Sequence, residues 1–260
     1  MIDGLLPFAL DDESGEGLRL FIKQRSFAMR YRAVLLDLDN TLYDYNACYA
    51  AGNDAVFPWL EGVTGRTRAE LEPVYREAKR RNHVALAGTA ASHNRLLYYQ
   101  RLAELLGLKV FGTADTMLGL FWEAFFSRME PFPGACELLR AVRPAGICLV
   151  TDMTVEIQYR KIERLGIGSL IDTLVTSEEA GREKPHPWPF TLALSKLGAR
   201  PDEACMAGDD FTKDVEGPLL AGIDAYWVRQ RASQHEPLFA HPRLRIVHDL
   251  VELKEALLVD

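Results

Sequence analysis

The chain alternates between two kinds of hydrophobic pattern. Short, continuous apolar runs such as AVLL (33–36), ICLV (147–150) and ACMA (204–207) indicate strands that are buried on both faces. Between such runs, apolar residues recur at three- and four-residue spacings, which indicates amphipathic helices. We therefore predict an α/β fold with a Rossmann-like parallel-sheet core.

A long helical block separates the first strand from the others. Its segments RAELEPVYREAKRRN, SHNRLLYYQRLAELLG and TMLGLFWEAFFSRM all have the helical spacing, and EPFPG (130–134) closes the block. We predict that 47–130 is an α-helical cap domain inserted into a catalytic core formed by 31–46 and 131–260. Residues 1–30, which include the acidic cluster DDESGEG, are expected to be an N-terminal extension.

After the block, helices and strands are expected to alternate to the end of the sheet. The predicted helices are 135–142, 155–166, 189–198 and 215–222, and the predicted strands are 147–152, 173–179, 203–210 and 225–230.

Composition and charge exclude several classes of protein. The chain has 260 residues and a formal net charge of −7, so we expect no nucleic acid polymer as a partner. No apolar run approaches the roughly 20 residues of a membrane span, so we expect no membrane partner. The four cysteines show no zinc-ligand or CxxC spacing, which predicts a reducing, cytoplasmic location without zinc or disulfides.

Polar residues gather where the predicted strands end. Because the carboxyl ends of parallel strands form one edge of a sheet, we expect their side chains to meet at a ligand site. The two carboxylates that follow the first strand repel each other, so their pairing requires a cation or a proton. The residues at the strand ends and in the loop after the third core strand are Asp37, Asp39, Thr151, Asp152, Asp209 and Lys184.

Four segments occur in a family-specific order. They are DLDNT (37–41), LVTD (149–152), EKPHP (183–187) and GDDFTKD (208–214). With these motifs, the chain resembles the haloacid dehalogenase superfamily of hydrolases from residue 31 to about residue 230. The resemblance implies that Asp37 attacks phosphorus and forms an acyl-phosphate, and that Asp39 protonates the leaving oxygen and later activates water.

The resemblance also implies a Mg²⁺ cofactor. The expected ligands are the carboxylates of Asp37 and Asp209 and the backbone carbonyl of Asp39, which are the hard oxygen donors that Mg²⁺ prefers. Asp214 is expected to orient metal-bound water or Lys184.

The phosphoryl group is expected to meet Thr151, Lys184 and backbone amides at the start of a helix capped by Thr154. Two residues depart from the usual family pattern: Asp152 stands where Asn is usual, and Asp210 stands where Ser is common. A negative side chain beside a phosphate is unfavourable, so we assign the contact at residue 152 to its backbone amide.

These features predict a Mg²⁺-dependent phosphatase of small phosphomonoesters, acting as a monomer or homodimer. A closing cap requires a small substrate, and residues 43–46 and the cap residues His83, His93 and Arg95 are expected to face it. Nucleoside monophosphates are placed ahead of sugar phosphates. The alternatives are a phosphomutase, which keeps both aspartates, a haloacid dehalogenase, which does not need the acid at Asp39, and a non-catalytic binding or regulatory module.

Overall fold

The computed structural model describes residues 28–229 and 240–259. The strands in these ranges are β1 (Ala28–Met29), β2 (Ala33–Leu36), β3 (Gly146–Thr151), β4 (Thr173–Thr176), β5 (Ala204–Gly208), β6 (Asp224–Val228), β7 (Leu244–Val247) and β8 (Leu258–Val259). The α-helices are α1 (Tyr45–Thr64), α2 (Arg68–Ala85), α3 (Arg95–Leu106), α4 (Val110–Arg128), α5 (Ala135–Val142), α6 (Val155–Leu165), α7 (Ser177–Ala180), α8 (Pro187–Leu197), α9 (Gly217–Leu220) and α10 (Leu250–Leu257).

The central sheet is parallel and has the strand order β4-β3-β2-β5-β6-β7 among the described residues. Leu36, the last residue of β2, pairs with Leu149 of β3 and Ala207 of β5. The residues that follow these three strands therefore emerge side by side at one edge. The predicted Rossmann-like α/β core is confirmed.

Helices cover both faces of the sheet because alternate residues of each strand point in opposite directions. Val34 and Leu36 of β2 belong to the same buried cluster as Leu138 of α5. Ala33 and Leu35 belong to a cluster on the other face, together with residues of α8. The continuous apolar pattern of the strand is thus explained by burial on both sides.

Helices α1 to α4 lie between β2 and α5 in the chain, and they pack mainly on one another. Helix α1 lies along α4, and α2 packs against α3. The close approach of α1 to α4 depends on Gly52, where an added Cβ would lie 2.5 Å from the ring of Phe121. We infer that this bundle is a cap domain on a core formed by the other elements.

Several elements differ from the predictions. Residues 177–179 were predicted as the end of a strand, but they begin α7, whose Glu179 N–H donates to the Thr176 hydroxyl at 3.2 Å. The predicted helix 215–222 is divided between a π-helix, Phe211–Glu216, and α9. The sequence analysis did not predict β7 or α10.

Two predicted elements extend beyond the described ranges. Residues 1–27 of the predicted extension, and residue 230 of the predicted last strand, lie outside the described residues. Ala28–Met29 form β1, which pairs antiparallel with β8. In the part of the chain that the structure describes, no helix combines the length with the apolar character that a membrane crossing needs.

Candidate active site

A cavity of about 190 Å³ lies at the carboxyl edge of the central sheet. Every residue that the sequence analysis assigned to catalysis, phosphate binding or metal binding lines this cavity. These residues are Asp37, Asp39, Thr151, Asp152, Lys184, Asp209 and Asp214. The structure thus brings together residues that lie up to 177 positions apart in the sequence because the strands that carry them are neighbours.

Three carboxylates converge at the centre of the cavity. Oxygen atoms of Asp37, Asp209 and Asp214 all lie within 4.8 Å of one another. The Thr41 hydroxyl lies 3.2 Å from Asp37 Oδ2 and 3.4 Å from Asp209 Oδ1. The approach of Asp214 requires a glycine at position 208, since an added Cβ there would overlap the Asp214 carboxylate.

Lys184 joins two of these carboxylates. Its Nζ donates to Asp37 Oδ1 at 2.7 Å and to Asp214 Oδ1 at 2.6 Å. Burial alone would lower the pKa of Lys184, but the carboxylates of Asp214, Asp37 and Asp152 raise it above its usual value. The lysine is therefore held as a cation.

The carboxylate cluster carries more negative charge than Lys184 neutralises. Burial, opposed by Lys184, raises the pKa of Asp37 well above its usual range, and Asp214 and Asp209 add to that rise. Burial, reinforced by Asp214, raises the pKa of Asp209 to about 7. Three carboxylates and one ammonium leave an excess of two negative charges when all are ionised.

This donor set fits a divalent metal ion. Closely spaced carboxylate oxygens are hard ligands for a hard cation, and two positive charges would balance the excess. The Asp39 carboxylate is not part of the cluster, and the contribution predicted for this residue is its backbone carbonyl. The residues that would hold the ion are Asp37, Asp209 and Asp214, together with that carbonyl.

In the absence of a divalent cation, we expect protein stability to fall as the pH rises. Asp209 has a pKa of about 7 in the folded protein, against about 3.9 for an unfolded aspartate. The folded state therefore binds more protons, and stability is lost between about pH 4 and pH 7. Melting temperatures in chelator should fall more steeply with pH for the wild type than for Asp209→Asn, and Mg²⁺ should reduce the difference. Parallel profiles for the two proteins would contradict this explanation.

Asp39 lies beside Tyr43, which belongs to the predicted segment 43–46, and beside Lys161, which the sequence analysis did not assign to the site. Lys161 Nζ lies 2.8 Å from each of its carboxylate oxygens, and the Tyr43 hydroxyl donates to Oδ1 at 2.6 Å. Lys161 is fully buried, and burial lowers its pKa although Asp39 opposes the shift. The ammonium balances the Asp39 charge separately from the charge of the carboxylate cluster.

The end of β3 is fixed by Gln158 of α6. Its side-chain amide donates to the Thr151 hydroxyl at 2.8 Å and to the backbone oxygen of Asp152 at 2.6 Å. Thr154 begins this helix but makes no side-chain cap bond, contrary to expectation; the Val155 N–H donates to Glu178 at 2.8 Å instead.

The two residues that depart from the family pattern have identifiable partners. Asp152 accepts the backbone N–H of Lys184 at 3.1 Å and pairs with Lys213 Nζ at 2.7 Å. The additional negative charge at residue 152 is therefore balanced by Lys213, which the sequence analysis did not assign to the site. Asp210 caps the π-helix by accepting the N–H of Lys213 at 3.0 Å.

Two of the residues that were predicted to face the substrate form part of the cavity wall. Tyr45 and His93 line the cavity, whereas Arg95 lies buried behind them and donates to the Tyr45 hydroxyl. His83 does not line it; its Nε2 lies 2.8 Å from the Tyr98 hydroxyl. Burial, reinforced by His93, lowers the pKa of His83 to about 4, so this imidazole is neutral at physiological pH.

The loop that carries Lys184 is bonded to the helical bundle. Glu183 accepts the Ser92 hydroxyl at 2.7 Å and lies 3.0 Å from His93 Nε2. Its N–H also donates to the Gly88 carbonyl at 3.1 Å. These bonds join the segment before α3 to the segment that carries Lys184.

Residues 31–222 match the family model described as haloacid dehalogenase-like hydrolase. The chain belongs to this family. It is 38% identical over 196 residues to the ribulose-1,5-bisphosphate 5-phosphatase of Halopiger xanaduensis, with 74% of this chain and 82% of the relative covered. It is 32% identical to the phosphoserine phosphatase of Thermus thermophilus, with 87% and 100% covered.

Solved structures have the same fold. A 2-haloacid dehalogenase from Pseudomonas syringae pv. Tomato superposes with a TM-score of 0.69 at 22% identity, covering 87% of this chain and 98% of that one. At this identity the likeness concerns the fold alone. With the family match and relatives named as phosphatases, the prediction that this family member is a phosphatase-type enzyme is confirmed.

Proposed function

We propose that this haloacid dehalogenase-like enzyme is a Mg²⁺-dependent hydrolase of small sugar phosphates and related phosphorylated metabolites. The proposal rests on one observation above all: Asp37 lines a small cavity in which Lys184 and two further carboxylates surround its side chain. This arrangement supplies a nucleophile, a fixed cation and a site for a second cation within a few ångströms.

The first half of the reaction transfers the phosphoryl group to Asp37. A carboxylate oxygen of Asp37 forms a bond to phosphorus while the ester P–O bond breaks, and Asp39 gives its proton to the leaving oxygen. Lys184 and the Thr151 hydroxyl stabilise the charge on the phosphoryl oxygens. When bound, Mg²⁺ supplies further positive charge at this group.

The second half restores the enzyme. Asp39, now ionised, removes a proton from water, and the water oxygen forms a bond to phosphorus. The bond from phosphorus to Asp37 breaks and inorganic phosphate leaves. The ammonium of Lys161 balances the Asp39 charge in the ionised state, since its Nζ lies 2.8 Å from both oxygens.

The size of the cavity favours a small substrate. Its volume of about 190 Å³ is below the range of about 300–1,000 Å³ that is typical of pockets for drug-sized ligands. Two of the relatives matched over most of their length are named for a sugar bisphosphate and for phosphoserine. We therefore place sugar phosphates and phosphorylated small acids ahead of nucleoside monophosphates, the reverse of the order drawn from the sequence.

A substrate panel with and without metal tests this function. Sugar phosphates, phosphoserine, nucleoside monophosphates, phosphopeptides and 2-chloropropionate should be compared by kcat/KM in Mg²⁺, in Ca²⁺ and in chelator. We expect small phosphomonoesters to be preferred, with activity in chelator lower by at least about 100-fold because a metal supplies several kcal/mol. Ca²⁺ should support turnover poorly, since its coordination is larger and less rigid. Preference for phosphopeptides or chloropropionate, or full activity in chelator, would refute the proposal.

A further inference from the structure

A second cavity lies beside the active-site cavity, between the helical bundle and α6. Its volume is about 320 Å³, and His93 and Met153 line both cavities. The two cavities therefore adjoin, and a substrate that occupied both would place its phosphoryl group at Asp37 and its remainder in the second cavity. The groups that line the second cavity would then select the rest of the substrate.

Arg95 lines this second cavity and is a buried cation without an ionic partner. Its side chain donates to the His93 carbonyl at 2.8 Å and to the Tyr45 hydroxyl, and its Nε is buried without a hydrogen-bond partner. Within residues 28–229 and 240–259, no carboxylate pairs with it. Only 4% of the residue is exposed.

Aromatic rings compensate part of the cost of burying this charge. The guanidinium carbon lies 5.2 Å from the ring centre of Tyr49, 5.0 Å from Tyr98 and 5.5 Å from Phe121. Such contacts are weaker than an ion pair with a hydrogen-bonded anion, so an anionic group in the cavity would find an unsatisfied partner.

Among the charged residues that line the second cavity, Arg95 should attract an anion most strongly. Glu156 is exposed, and Glu178 already accepts the N–H of Val155 at 2.8 Å. Arg160 is an exposed second cation in the same lining, contributed by the core rather than by the bundle. Water screens the exposed charges far more than it screens buried Arg95.

We propose that Arg95 binds a second anionic group of the substrate, a carboxylate or a second phosphate, while the reacting phosphoryl group lies at Asp37. This inference rests on the proposed function. A planar, charged guanidinium matches both groups. Arg95 also bonds to Tyr45, which lines the active-site cavity, so it stands where the two cavities adjoin.

Matched substrate pairs test the proposal in the wild-type enzyme. Ribulose 1,5-bisphosphate is compared with ribulose 5-phosphate for a second phosphate, and phosphoserine is compared with phosphoethanolamine for a carboxylate. In at least one pair, we expect kcat/KM to be about tenfold or more higher for the doubly anionic member. A hydrogen bond to a charged group contributes enough binding free energy for a difference of this size. The pair that shows this preference identifies the second group.

Substitution of Arg95 then tests whether this residue causes the preference for the doubly anionic substrate. Arg95→Met should lower kcat/KM for the preferred doubly anionic substrate by about 10- to 100-fold, mainly through KM, and change its singly anionic match by less than about threefold. Arg95→Lys keeps the charge and should retain part of the preference. The matched control is Arg101→Met in the same helix, since Arg101 bonds to Asn82 and lines neither cavity; its selectivity should not change.

The outcomes separate this inference from the proposed function. Equal turnover of both members of each pair by the wild type would overturn the role of Arg95 and leave the phosphatase function standing. If Arg95→Met and Arg95→Lys each lowered kcat/KM equally for both members of a pair, Arg95 would serve in packing of the helical bundle. That result would also overturn the proposed binding role. Absence of activity on every phosphomonoester by the wild type would instead refute the proposed function itself.

Discussion

Asp37→Asn is expected to reduce kcat by at least about 10⁴-fold, the scale of loss seen when a catalytic nucleophile is removed. The amide has nearly the shape of the carboxylate but cannot form the acyl-phosphate. The fold should persist because burial already penalises the charge at this position, and its pKa lies well above the usual range. The measurement is kcat on a small phosphomonoester in Mg²⁺, together with the melting temperature.

Asp202→Asn is the matched control for that loss. Asp202 is an exposed aspartate, paired with Arg200 on the surface, so its substitution removes the same charge away from the cavity. It should leave kcat within about twofold. Mass spectrometry of the quenched wild type should find the phosphoryl group on Asp37. An Asp37→Asn enzyme with more than a tenth of wild-type activity, or an adduct on another residue, would contradict the assignment.

The sequence predicted the site residues because their placement follows from local rules. Asp37 directly follows a strand that is apolar throughout, and Asp209 directly follows another, so both emerge at the carboxyl edge of a parallel sheet. Because β2 and β5 are neighbours in the sheet, the two aspartates lie close together. Their proximity can be predicted without knowing the side-chain geometry. The roles assigned to them remain proposals.

The sequence analysis missed Lys161 because it lies within helix α6 and not at the end of a strand, where the site residues were sought. A signal was nevertheless present in α6. Gln158, Lys161 and Leu165 have the spacing of one helix face, and all three are buried. Two polar residues on the buried face of an amphipathic helix indicate that this face meets polar groups, here Thr151 and Asp39.

The missed elements had weaker patterns. Strand β7 lies at the edge of the sheet, and two of its four residues are exposed, so its sequence lacks the continuous apolar run of a buried strand. Helix α7 was not predicted because its four residues directly follow β4. The side-chain cap at Thr176 marks the point where the strand ends and the helix begins. Such boundaries depend on single hydrogen bonds more than on periodicity.

Lys184→Met is expected to lower the free energy of unfolding by about 3–5 kcal/mol at neutral pH in chelator. Without the ammonium, the buried carboxylates of Asp37 and Asp214 lose the cation that lies 2.7 and 2.6 Å from them. Activity should also fall by at least about 100-fold, since a fixed charge that faces the phosphoryl group is lost. Urea unfolding and kcat measure the two effects.

The pH dependence of this loss identifies its cause. The raised pKa of Lys184 means that its stabilising charge is fully present below about pH 10, so pH 5–8 leaves the wild-type lysine ionised. In Lys184→Met the folded carboxylates hold their protons to higher pH than the unfolded ones do, so the variant loses stability as the pH rises. The difference between the two proteins should therefore be larger at about pH 8 than at about pH 5.

Lys196→Met is the matched control, because Lys196 forms an ion pair with Glu179 at 2.6 Å but has 27% of its side chain exposed. Surface pairs of this kind contribute at most about 1 kcal/mol, with little change between these pH values. If Lys184→Met cost no more than this control, or cost more at low pH than at high pH, Lys184 would not be the cation that stabilises the buried carboxylates. Another group would then have to neutralise the negative charge of Asp37 and its neighbouring carboxylates.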